Sequence, residues 1–197
     1  MAKKMFIPIL LMCITLLGYF LFGWLCGFPG ERKKVALSVN EYIKKYDIYD
    51  AELLIGFAPD GMNSARVHSN VIPFEFDVSF GRDDYTVFGD TYAESLVEYN
   101  LESLIMESIQ SPYVQKVIVV SYYRFSKDER DEIIEKVNAD PNVIFNIPDI
   151  EYGCILSVTN TAEEELFKIS EEIMTNFNPA HVSFYDVDGN EIIDYPN

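Results

Sequence analysis

Cys154, His68 and His181 are the residues of this chain best suited to nucleophilic chemistry. A thiol within hydrogen-bond reach of an imidazole is an activated nucleophile, so a Cys154/His181 dyad is one candidate, provided the fold brings the two together. No nucleophile elbow, His-Glu-x-x-His or Cys-x-x-Cys pattern surrounds these positions, so the simpler reading is ordinary half-buried histidines and a small core cysteine. A carboxylate pair is the other candidate for acid–base work, but 32 acidic residues make some close pair inevitable and the pattern uninformative. Asp186, Asp188 and Asn190 have the alternating oxygen spacing that hard cations favour. Gly189 stands fourth rather than sixth, and Asn197 occupies the twelfth place that needs Glu. The calcium-loop pattern therefore fails, and a hairpin turn is expected. Asp83, Asp84 and Asp90, near Tyr85 and Tyr92, read as a solvated loop plus a helix cap rather than a cation site. One soluble-part cysteine and two histidines are too few for a zinc centre of Cys/His type. The sequence thus assigns no catalytic, cofactor-binding or metal-ligating residue and predicts no cofactor.

Charge narrows the function classes further. The 197 residues carry 15 Lys+Arg and 32 Asp+Glu, a net charge of −17, and every acid lies after residue 30. Nucleic-acid binding through bulk charge needs clustered Lys and Arg, which this chain lacks. Docking on an anionic lipid surface is disfavoured for the same reason. Recurrent aromatic and β-branched residues supply enough apolar area to oppose disorder.

Residues 5–28 (MFIPILLMCITLLGYFLFGWLCGF) contain no charge. A helix of that length reaches about 36 Å, enough for a hydrocarbon core of about 30 Å. The run is too long for a cleaved signal and lacks a small-x-small site, and Trp24 before Cys26 is poor for lipoprotein processing. The sequence therefore predicts a retained anchor over residues 1–30, with Tyr19 and Trp24 near an interface. The flanking cations, Lys3 and Lys4 against Arg32, Lys33 and Lys34, are nearly balanced; the short leading tail favours export of the C-terminal part.

These candidates must be positioned by the elements that follow. A helical spacing covers 31–46 (Val35, Val39, Tyr42, Ile43, Tyr46), continuing from the anchor. Strands are expected at 51–58, 64–71 and 74–80, the last with Phe74, Phe76, Val78 and Phe80 alternating with polar residues. A turn is read at Pro59-Asp60-Gly61. A helix over 91–109 is capped by Asp90 or by a Thr91/Glu94 box, and Ala93, Val97, Leu101, Leu104, Ile105 and Ile109 form its stripe. Then come a strand at 114–125, a helix from the Ser126/Glu129 box, strands at 142–147 and 152–159, and a helix from Thr161/Glu164 carrying Leu166, Ile169, Ile173 and Phe177. A hairpin over 181–187 and 191–193 closes the chain. The expected class is α+β: one N-terminal transmembrane helix, then helices packed on antiparallel or mixed sheets. The expected parts are the anchor at 1–30, an αβββα subdomain at 31–112 and a βαβαββ subdomain at 113–197.

Tyr42-Ile43-Lys44-Lys45-Tyr46, the 74–80 strand, and Asp84-Tyr85 through Asp90-Thr91-Tyr92 resemble the YfjL-like uncharacterised, membrane-anchored proteins of Gram-positive bacteria, chiefly over residues 1–110. The resemblance implies an exported α+β domain and transfers no catalytic residue. The functional expectation is a membrane-anchored, extracytoplasmic, non-enzymatic binding or regulatory module. It would be held in the cell membrane by residues 5–28 as a single-pass protein, with an envelope protein as partner and no nucleic acid. The alternative is a cell-envelope hydrolase using a carboxylate pair or the Cys154/His181 dyad.

Overall fold

Two runs of alternating apolar residues each build a four-stranded sheet, and the chain divides into two compact units, Met1–Asp90 and Thr91–Asn197. The computed structural model describes residues 2–58, 62–109, 111–147, 150–159 and 161–196, without the side chains of residues 2–11, 24, 25 and 146. The expected turn at 59–61 lies outside the described residues.

The first unit begins with helices α1 (Ala2–Cys26) and α2 (Pro29–Ile43) and a 3-10 turn at Lys44–Tyr46. Strands β1 (Glu52–Gly56), β2 (Asn63–His68), β3 (Phe76–Phe80) and β4 (Val87–Asp90) follow as an antiparallel meander in sequence order. The pairs Ile55↔Ala65 and Ala65↔Val78 set one face toward the core, where Val67, Phe76 and Phe80 are also buried. Arg66 and Asp77 pair across the opposite face at 3.2 Å. Helix α2 buries Val35, Val39 and Ile43, one residue per turn, and packs on β1 and β4.

Here the first expectation is overturned. Among the described residues no helix is long and apolar enough to cross a membrane. That removes the transmembrane helix from the fold class and residues 5–28 as a membrane partner. The single-pass cell-membrane location with an exported domain goes with it, as does the likeness to a membrane-anchored family. Nor does α1 run on into the next helix. Gly27 has φ +76°, Phe28 folds back against Tyr19 and Phe20, and Arg32 Nε donates to the Cys26 carbonyl at 2.9 Å. The ring of Phe57 fills the space a Cβ on Gly27 would need, so glycine is required there twice over.

The C-terminal residue of β4 organises the same unit. The Asp90 side chain is wholly buried and accepts hydrogen bonds from the hydroxyls of Tyr42 at 2.5 Å and Tyr46 at 2.9 Å. Lys45 Nζ lies 3.2 Å from the same carboxylate, and 4.0 and 4.4 Å from the two tyrosine ring centroids. Tyr42 and Tyr46 therefore use ring faces for the ammonium and hydroxyls for the carboxylate.

In the second unit, helix α3 (Tyr92–Ser108) leads to β5 (Val114–Ser121), then α4 (Lys127–Ala139) and a 3-10 helix at Pro141–Asn146. Strand β6 (Tyr152–Val158), helix α5 (Glu163–Phe177), β7 (His181–Tyr185) and β8 (Glu191–Pro196) complete it. The sheet order is β5-β6-β7-β8; β6 and β7 run parallel, as their connection through α5 allows, and the other pairs are antiparallel. Val119, Cys154, Leu156, Val182 and Phe184 form its buried side, with α3 on β5 and α5 on β7. The α+β class with antiparallel and mixed sheets stands.

Three local expectations change. The apolar 142–147 run is a 3-10 helix, not a strand: Pro141 suits the first turn, and Asp140 caps it by accepting from Asn142 N at 3.0 Å. Helix α5 starts after Ala162, without the Thr161 cap. At the Thr91 N-cap of α3 no side-chain cap bond forms, and Glu94 accepts from Phe125 N rather than closing a box. The Ser126/Glu129 box does form, with Ser126 N donating to Glu129 at 2.8 Å. The two compact units meet in sequence at Asp90/Thr91, with α3 packed on β5 in the second.

Because Asp90 is buried with three donors around it, Asp90→Ala should lower the unfolding free energy by about 2–4 kcal/mol in urea titration, whereas Tyr46→Phe should cost about 1 kcal/mol. A loss under 1 kcal/mol for Asp90→Ala would show that the network contributes little.

Candidate functional site

Strand register decides the proposed dyad. Cys154 is level with Val182 and Gly153 is level with His181 across the parallel β6–β7 pair. Successive side chains of a strand point to opposite faces. Cys154 therefore enters the helix-covered core, where it is fully buried, while His181 stands on the other face. There the imidazole lies over Gly153, in space that a Cβ would occupy, with Tyr122 beside it at 5.9 Å. Burial, and then the nearby Glu102, pushes the Cys154 thiol up to about 12. The dyad is not assembled, and a thiol so reluctant to ionise is a poor nucleophile. His68 sits on the other unit's sheet, 3.3 Å from Glu75 and half exposed.

The acidic clusters are also accounted for locally. Asp186 accepts from the side chain of Asn190 at 2.8 Å and from the amides of Asn190 and Asp188 at 2.8 and 2.9 Å, which lowers its pKa below the usual carboxylate value. Gly189 takes φ +83° and closes the β7–β8 hairpin. Asp84 is lowered chiefly by the Thr86 amide, and the Thr86 hydroxyl adds a second bond. Asp90 belongs to the tyrosine–lysine network. Among the described residues, no group of three or more His, Cys, Asp or Glu is placed to hold a metal ion.

The two edges of the second sheet are built differently. At β5, Glu102 accepts from Val119 N at 3.0 Å, Glu98 from Ser121 N at 2.9 Å and from the Ser121 hydroxyl at 2.7 Å. Beyond the strand, Glu94 accepts from Phe125 N at 3.0 Å. These glutamates recur every four residues, on one face of α3, and match backbone donors on and just after the edge strand. Arg130 lies 3.4 Å from Glu94 and offsets part of its charge. Burial raises the Glu102 pKa, the Val119 bond opposes that, and Glu98 adds to it. The ladder was legible as an i, i+4, i+8 repeat of glutamate, but only the structure shows what it caps.

At the other edge, α5 and β8 border an open groove of about 590 Å³. Phe167 on α5 is 47% exposed, with its ring set edge-on to Tyr195 of β8 at 5.8 Å. Tyr195 in turn rests on the buried Phe184 at 6.0 Å, which fixes the aromatic pair to the core. Glu163, Glu164 and Glu171 line the groove, and Lys168 beside them is paired with Glu165 at 3.6 Å. Burial, and then Glu163, raises the Tyr195 hydroxyl pKa. Aromatic faces beside carboxylates recognise cations and their aliphatic stems. Among the described residues, the groove lining contains no Cys, His or Ser that could act as a nucleophile.

The Glu102 arrangement has a pH signature. Its carboxyl is raised in the folded state, so its contribution to folding is fully present in acid and is lost as pH rises through the raised value. Glu102→Gln keeps an acceptor for Val119 N and removes the buried charge. Its urea midpoint should exceed that of the parent at pH 8, and the two should converge toward pH 4. Glu102→Ala removes the acceptor and should cost about 1–2 kcal/mol at either pH. Equal stability of the Gln variant and the parent at pH 8 would contradict the burial argument. In a Cys13→Ser/Cys26→Ser chain, Cys154 should resist thiol reagents at pH 8 until denaturant is added, and rapid native labelling would contradict its placement.

Comparison with protein-family models, with curated proteins and with solved structures finds no match to this chain.

Proposed function

We propose that this protein is a non-enzymatic binding module that receives a positively charged partner in the groove between α5 and β8. The observation that carries this reading is the Phe167/Tyr195 pair, a large aromatic surface left in water and walled by three glutamates. Helix α5 buries Leu166, Ile169 and Ile173 on its sheet-facing side. Phe167 lies off that stripe, with about half of its surface in water. A net charge of −17 draws cationic partners over distance and repels anionic ones. The groove supplies the short-range part: ring faces for an ammonium or guanidinium group, carboxylates for its charge, and apolar area for the stem.

Calorimetric titration with a blocked nonapeptide of alternating Lys and Val tests the reading. The parent chain should bind it with an affinity that falls as salt is raised, and should not bind the Glu/Val counterpart. Phe167→Ala and Glu164→Lys should each weaken binding roughly tenfold, a loss of about 1.4 kcal/mol. Both side chains are exposed, so melting temperatures should stay near the parent's. Unchanged affinity in both variants would place any binding elsewhere and refute the assignment.

A further inference from the structure

The geometry points to the form of the partner: we propose that it is an extended basic segment of another protein, which joins β8 as an additional strand and sends alternate side chains into the groove. The proposal rests on the groove being the binding site and adds how the chain of the partner is held.

β8 is the last strand of its sheet, paired with β7 on one side only. An edge strand presents a row of backbone donors and acceptors that must be satisfied by water, by side chains or by another strand. On and just after β5 at the opposite edge, three carboxylates from α3 occupy backbone donors. Nothing equivalent serves β8: among the described residues, its backbone pairs with β7 and α5 packs over β7. The outer edge of β8 is therefore bare, and it runs directly beside the aromatic groove. A groove between an edge strand and a helix is the geometry in which extended peptides bind by strand addition. The backbone supplies affinity there, and alternate side chains supply selection. β8 is six residues long, about 20 Å, so it can pair with a segment of similar length.

Charge selects the occupant. Glu191 and Asp194 lie exposed on β8 itself, in addition to the groove glutamates. Like charges brought together along an edge repel, so a second copy of this acidic chain is disfavoured, whereas Lys or Arg on an incoming strand finds carboxylates on both sides of the backbone. Tyr195 and Ile193 are level with Val182 and Phe184 and so share the helix-covered side. A strand added beside them places every second side chain against Phe167 and Tyr195, and the intervening ones near Asp194.

The test uses the full chain and three versions of the Lys/Val nonapeptide: unmodified, N-methylated at odd positions, and N-methylated at even positions. N-methylation deletes the backbone donor without altering charge or side-chain order. Strand addition predicts that one methylated peptide binds at least roughly tenfold more weakly than the other, because only one set of amides faces β8. Equal affinities for the two methylated peptides, at any level, overturn strand addition; if they bind through Phe167 and Glu164, the groove reading survives. If none of the three peptides binds, the groove reading fails and this proposal with it. Sedimentation of the free chain gives the remaining outcome: a dimer that the peptide displaces would identify a second copy as the occupant of β8 and overturn the proposal.

Discussion

A β-sheet ends in two rows of backbone groups that have no strand to pair with, and each row must find partners. The second sheet of this chain meets that demand in two different ways. Along β5, α3 lays Glu102 and Glu98 on the donors of the edge, and Glu94 continues the series to Phe125. Along β8 no helix or side-chain series takes that place among the described residues, and an aromatic, acidic groove runs alongside. The functional reading follows from this asymmetry, because the one is closed to further strands and the other is available.

The same excess of acid serves three physical ends. Buried in the first unit, Asp90 binds α2 and the following 3-10 turn to the end of the meander through Tyr42, Tyr46 and Lys45. Buried or half-buried on α3, Glu94, Glu98 and Glu102 act as hydrogen-bond acceptors, and burial raises the Glu102 pKa. Exposed on α5, Glu163, Glu164 and Glu171 remain in water and cost nothing to keep charged. These, with the exposed Glu191 and Asp194 of β8, are placed to meet a partner's charge. Net charge alone therefore said little about function; the depth of each carboxylate decides its role.

Much of the fold was legible in the sequence because period and caps agreed. The alternation of Phe76, Val78 and Phe80, the α3 stripe and the Ser126/Glu129 box all correspond to observed elements. Phe74, although in phase, lies before β3 begins. The 142–147 run misled because Val143-Ile144-Phe145 is strand-like in composition, while Pro141 and the Asp140 cap set a helical turn. β4 was missed because four residues containing Gly89 are too short to carry a period. The apolar N-terminal run was read as a membrane anchor on composition and length, a reading the described helix does not support. The site was the least legible part. Glutamates four apart on a helix look like a solvated face unless the strand edge they meet is known. Phe167, one position off the buried stripe of α5, was the available signal: a large aromatic where the helical period calls for a polar residue.

The central claim is that β5 is a closed edge and β8 an open one that takes up a basic strand. Residue-resolved amide hydrogen exchange, with and without a saturating Lys/Val peptide, tests it most directly. The account predicts that Val119 and Ser121 exchange slowly in both states, held by Glu102 and Glu98. The β8 amides that face away from β7 should exchange quickly in the free chain and slow down when the peptide is bound. Protection of both edges in the free chain, or β8 amides that stay fast while peptide is bound, would contradict it.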